Sequence, residues 1–236
     1  MSAWSQNTEV QTFDAQALFA RETAGIFMAK VYRWMTFGLG TTALVAWVTA
    51  NNAPMLEFVL KNFLVVGIAS FAFVLVLSFI AHKLSGAVAA ALFLAYSAVM
   101  GLFLSTIFLV YDLGSIFSAF VITATAFLAL SIYGTVTQRD LSAWKSFLFI
   151  GLIGIILAGI VNIFIMKSDA MAFVISCCTV VVFAGLTAYD TQKLRQIHAT
   201  STHKSMTALA VQGALTLYLD FINLFLAILR ILGRRN

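Results

Sequence analysis

Seven stretches of this chain, about residues 34–51, 63–81, 87–110, 115–134, 147–166, 170–190 and 207–229, are each apolar enough and long enough to cross a bilayer as a helix. They leave little room for anything else. Unbroken apolar runs of that length predict helices, not the short alternating strands of an outer-membrane barrel. With 62% hydrophobic residues, 10% charged residues and one proline in 236, the chain reads as an all-α integral membrane protein, a seven-transmembrane-helix bundle. Glu9, Asp14, Arg21 and Glu22 interrupt the first ~30 residues, which lack a compact apolar core followed by a small-residue cleavage site, so no cleaved signal peptide is expected. The organisation predicted is a cytoplasmic N-terminal segment over 1–27, either a surface-lying helix or a disordered tail, and a membrane domain over 28–236.

Basic residues give an orientation. A cytoplasmic N-terminus places Arg21, Lys30, Arg33, Lys83, Arg139, Lys145, Lys193, Arg195 and Lys204 inside and Lys61, Lys167, Arg230, Arg234 and Arg235 outside. With seven spans the N-terminus is then inside and the C-terminus outside. The basic C-terminal residues argue the other way, and a re-entrant last segment is the rival topology. The formal charge of +5 is read as topology and attraction to the lipid bilayer, and no nucleic-acid partner is expected. No cofactor is expected either. Gly151, Gly154 and Gly159 read as packing glycines within an apolar span, His198 and His203 have no Cys or carboxylate at ligand spacing, and the adjacent Cys177 and Cys178 cannot readily bridge each other.

Two of the nine acidic residues stand out. Asp220 lies near the middle of the apolar run 208–229, where a carboxylate costs about 2.5–3.5 kcal/mol even on insertion scales and therefore usually faces a protein interior or a wet cavity. Gln212, Thr216, Asp220 and Asn223 follow at spacings of four, four and three, one polar face of a helix, which makes the last segment central or wall-lining. Asp190 closes the preceding run and shares a face with Thr187 and Thr191. It is either a boundary residue reaching headgroup water or a buried acid, disfavoured by the helix C-terminus and in need of a cation. His82 and Lys83, at the same end of the second segment, make Lys83 a plausible partner. If Asp190 and Asp220 meet, both cannot stay cheaply ionised, so they share a proton and sense pH.

The words AGLTAYDTQKLRQI (184–197) and GALTLYLDFINLFLAILRILG (213–233), with YRWMTFGL, TQRDLS and LIGIILAGIVN elsewhere, resemble the Bax inhibitor-1 family, and its bacterial inner-membrane members in particular. The resemblance implies a bundle with the last helix central, surrounded by the other six, and a pH-sensitive calcium leak. It implies that Asp190 and Asp220 form the paired-acid sensor of the pore, transiently meeting Ca²⁺. A basic residue at the cytoplasmic end of the second helix, placed at Lys83, latches Asp190 when closed. Lysine lacks arginine's bidentate fork, which brings in His82 as an auxiliary. Carboxylates suit calcium, with Thr187, Thr216 and Asn223 as auxiliary polar groups.

The mechanism expected is a passive cation pathway plugged near the cytoplasmic side, with Ca²⁺ and protons as its partners and no enzymatic activity. An intramembrane aspartyl protease would use the same two acids, but neither lies in a Gly-rich protease motif. Coupled proton antiport is the closer rival. The alternative from another class is a non-transporting membrane modulator of protein quality control, partnered with the membrane-anchored ATP-dependent protease FtsH to which some bacterial relatives are linked.

Overall fold

The computed structural model describes the backbone of residues 3–80, 84–200 and 206–234, with side chains described for 24–80, 84–197 and 206–234. Every long element is a helix. In chain order these are α1 (Ala3–Ala50), α2 (Ala53–Lys61), α3 (Phe63–Ile80), α4 (Gly86–Leu104), α5 (Ile107–Val110), α6 (Leu113–Val136), α7 (Lys145–Val161), α8 (Asp169–Thr200) and α9 (Met206–Leu232). The backbone of α1 runs through residue 28 without a break. A single 3-10 turn, Leu141–Trp144, leads into α7, and a π turn, Asn162–Met166, ends it. Among the described residues six helical spans are long and apolar enough to cross a membrane, and the pair formed by Ala24–Ala50 and α2, bent by 101°, makes seven when counted as one span.

Local chemistry sets the breaks. At the α1–α2 bend Asn52 accepts a hydrogen bond from Met55 N at 3.1 Å, while Pro54, which has no N–H to leave unpaired, occupies the first turn of α2. Asp112 caps α6 by accepting from Ser115 N at 2.9 Å and from Ser115 Oγ at 2.7 Å. Those bonds from Ser115 hold its carboxyl below the ordinary carboxylate range. Asp140 accepts from Ser142 N at 2.9 Å, and this bond likewise lowers it. Both caps are therefore complete above the ordinary carboxylate pKa and are lost only as pH falls through the lowered one.

Asn162 ties off α7. Its amide donates to Ser168 O at 3.1 Å and its carbonyl accepts from Ser168 N at 3.0 Å, across a turn in which Lys167 adopts the left-handed φ of 46°. Asn162→Ala should therefore destabilise the protein by about 1–3 kcal/mol, read as a lower thermal unfolding midpoint in detergent. Gly151 packs against Val182, but an added Cβ at Gly154 or Gly159 would meet nothing. Those two are not packing glycines. Cys178 is likewise exposed, while Cys177 is half-buried.

The outer helices turn apolar side chains outward: Leu64, Val65, Ile68 and Phe79 on α3, and Phe149, Ile150 and Leu157 on α7, are all more than half exposed. That is the surface lipid would cover. Three of the 18 residues of α3 are buried but 17 of the 27 of α9, which puts α9 at the centre. It packs chiefly against α1, α4, α6 and α8, while α3 rests on α4 and α7 on α8. The central helix is thus enclosed mainly by four neighbours, not six.

Polar groups inside the bundle are mostly satisfied within their own helices. Ser97, Thr123 and Thr187 each donate to the carbonyl four residues back, at 2.9, 2.7 and 2.8 Å. One cross-link joins three helices: Thr42 of α1 meets the Tyr218 hydroxyl of α9 at 2.7 Å and reaches Ser97 O of α4 at 2.9 Å. Close approach comes from glycine. A Cβ at Gly134 of α6 would lie 2.3 Å from the Ala188 carbonyl oxygen of α8.

Candidate functional site

The site grows from the two helices that carry the acids. α8 does not stop at residue 190 but runs on to Thr200, so Asp190 sits inside the helix and the helix-end penalty expected for it does not apply. What burdens it is the company it keeps. Its carboxyl lies within hydrogen-bonding reach of that of Asp220 on α9, and Asp220 is only 4% exposed. Two carboxyl groups that close bond to each other only by sharing a proton. Asp220 Oδ2 has no hydrogen-bond partner, nor does Thr191 Oγ1 beside Asp190. A buried oxygen left that way carries a penalty of about 1–3 kcal/mol, and it is an acceptor ready for a cation.

A cavity of about 250 Å³ reaches Asp190 from the end of the bundle where α8 leads into α9. Phe27, Lys193, Gln212 and Thr216 are among its lining residues. Asp220 is not, so Asp190 stands between the cavity and the deeper acid. On the other side of Asp220 the seam between α6 and α9 is closed by phenylalanines: Phe221 packs edge-on against Phe120 and Phe127, each 5.6 Å away, and Phe225 lies 6.5 Å from Phe120. In this conformation the aromatic side is the sealed one.

The polar stripe of α9 is where the sequence put it. Gln212, Thr216 and Asn223 are half-buried on a helix that is otherwise almost wholly buried. Thr216 donates to Gln212 O at 3.2 Å and Asn223 donates to Leu219 O at 2.8 Å, so both side-chain oxygens keep lone pairs. Thr187 is fully buried and its hydroxyl is committed to Phe183 O. His82 and Lys83 lie outside the described residues, as do His203 and the side chain of His198. Among the described residues, a cation beside Asp190 is Lys193, three residues along α8. Its ammonium acts electrostatically on that carboxyl and lies 5.6 Å from the centre of the Tyr189 ring.

Sequence reasoning passed over Lys193 as one more topological charge, and it missed a clasp. Gln192 Oε1 accepts from Leu141 N and its amide donates to Arg139 O, both at 2.9 Å, while Arg195 donates to Thr135 O. The short TQRDLS connection is thereby fastened to α8 just beyond Asp190. The signal was available: polar residues continue helix-compatible sequence after the acid, and a short polar link between two spans needs something to hold it.

Comparison with known proteins agrees with this architecture. Residues 25–236 match the family described as inhibitor of apoptosis-promoting Bax1. The inner membrane protein YbhL of Escherichia coli strain K12 is 51% identical over 217 residues, 89% of this chain and 92% of that protein. Uncharacterized proteins of Borreliella burgdorferi and Deinococcus radiodurans are each 42% identical, over 89% of this chain and 92% and 91% of theirs.

Proposed function

This chain belongs to the Bax inhibitor-1 family, and we propose from that premise that it is a pH-sensitive calcium leak of the bacterial inner membrane, gated by Asp190 and Asp220. The observation that carries the reading is the close pair of carboxyl groups, one lining a cavity and the other buried behind it. The N-terminus and the cavity mouth face the cytoplasm, as the distribution of basic residues suggests.

The chemistry follows from charge. With one proton shared, the pair carries one negative charge and the hydrogen bond ties α8 to α9. Losing that proton leaves two like charges side by side in a poorly solvated place, which a divalent cation neutralises. Calcium takes six to eight oxygen ligands, and the side-chain oxygens of Thr216 and Asn223 add to the carboxylates. Ionised Asp190 is also held by the ammonium beside it: Lys193 by position, with Lys83 as the latch the family resemblance implies. Protonating Asp190 releases that hold and favours opening, whereas deprotonation favours ion binding in a latched state. Flux should rise as pH falls and calcium affinity should rise as pH rises.

Asp190→Asn tests this directly, because an amide cannot ionise at any pH. Calcium flux into liposomes containing the variant is expected to stay near the acid-side level of the wild type and to lose its pH dependence. An unchanged pH profile would remove the acid pair from gating.

A further inference from the structure

A second cavity, about 420 Å³, opens at the same end of the bundle but on the other side of α8, between Ala24 of α1, the end of α6, residues 137–140 and the extension of α8 past Asp190. Arg139 and Arg195 both line it. Arg195 is held in place by its bond to Thr135 O, and since a guanidinium has five N–H groups most of its donors remain for another acceptor. Arg139 is exposed and its backbone is pinned by Gln192. The acid in the lining, Asp140, is occupied in capping Ser142 N. Two planar cations beside one committed carboxylate make a site for an anion with paired oxygens, the geometry of a phosphate.

The depth of the cleft says which phosphate. Tyr133 and Val136 of α6, 50% and 71% exposed, and Trp144 ahead of α7, 59% exposed, flank the connection that forms it. Tyrosine and tryptophan at the end of an apolar span mark the level of the headgroups. An occupant would meet guanidinium groups at its head and bare hydrocarbon surface just below. We propose that this cleft binds the headgroup phosphate of an anionic phospholipid, with Arg139 and Arg195 as its ligands. The binding claim is independent of the leak reading. Its bearing on the leak is that the connection under the headgroup is fastened to α8 through Gln192, two residues after Asp190.

The test is native mass spectrometry of the full chain in detergent, titrated with phosphatidylglycerol. Phosphatidylcholine is the zwitterionic control and inorganic phosphate the soluble competitor. Wild type should retain phosphatidylglycerol in preference to phosphatidylcholine. Arg139→Gln should weaken retention about five-fold, and the double variant Arg139→Gln/Arg195→Gln about 30-fold, the factors expected for losing one and two basic contacts. Arg195→Lys, which keeps a charge but not the fork, should fall between wild type and Arg195→Gln. The Arg139→Gln arm involves an exposed side chain, so it stands even if replacing Arg195 disturbs the fold. Retention unchanged in Arg139→Gln, or equal retention of the two lipids, would overturn the proposal. Displacement of the lipid by inorganic phosphate would overturn it too, by assigning the cleft to soluble anions.

Discussion

Asp220→Asn is expected to lower calcium flux through liposomes by about ten- to a hundred-fold, the effect of taking 1.4–2.8 kcal/mol from a cation's passage, while leaving the protein folded. Asp220 is the acid buried behind Asp190, away from the cavity, so its charge cannot be replaced by solvent. The substitution keeps the shape and still offers a donor to Asp190. It also leaves a neutral amide oxygen where the wild type has a charge-bearing oxygen without a partner. Removing an unsatisfied buried acid is close to neutral or stabilising. The expected signature is therefore a split: flux falls and the thermal unfolding midpoint does not. Flux unchanged in a folded variant would exclude Asp220 from the ion path, and a protein that transports nothing in either form would redirect attention to a binding role.

Gly134→Leu should give the opposite split, with the fold failing first. The Cβ of any larger residue at 134 would stand 2.3 Å from Ala188 O and 3.1 Å from that residue's Cα and carbonyl carbon. These are backbone atoms of a helix and cannot rotate away. α6 must then move off α8, at about 3 kcal/mol or more for a large side chain forced into a packed interface. The measurement is the yield of folded protein and its unfolding midpoint in detergent. No replacement at position 188 should rescue it, because the obstructing atoms belong to every amino acid. Rescue by a change at Ala188, or an unaltered midpoint, would mean that the two helices are not in contact there.

How much of this was legible beforehand depended on the kind of signal. Long apolar runs gave the six continuous spans and the apolar half of the bent pair Ala24–Ala50 with α2, because a span must hide its backbone from lipid over a fixed thickness. The stripe Gln212, Thr216, Asp220 and Asn223 gave the central helix, since four polar positions on one face have no place against hydrocarbon. Hydropathy was blind where helices leave the bilayer. It read the end of α8 at Asp190, though the helix runs to Thr200, and it read α2 as a connection. Beyond the lipid, helices are held by side-chain bonds such as those of Gln192 and Asn52, which leave no apolar trace. The meeting of the two acids stood only as a condition, because the thirty positions between them include a turn whose length sets their relative depth. The family words supplied that pairing. Lys193 went unread since a cation three residues from an acid on an exposed helix face is ordinarily of little consequence.

The clasp at Gln192 also settles which helix has freedom to act. With Leu141 N and Arg139 O both fastened to one side chain, and Arg195 on Thr135 O a turn further along, α8 cannot spin about its axis without tearing three bonds. α9 is gripped elsewhere: at mid-height by Tyr218 on Thr42, and at its far end by Arg234 N on Ser115 Oγ. Its near half, from Met206 to Thr216, has the cavity at its side. Distance probes should accordingly find α8 the stator and the first turns of α9 the moving arm.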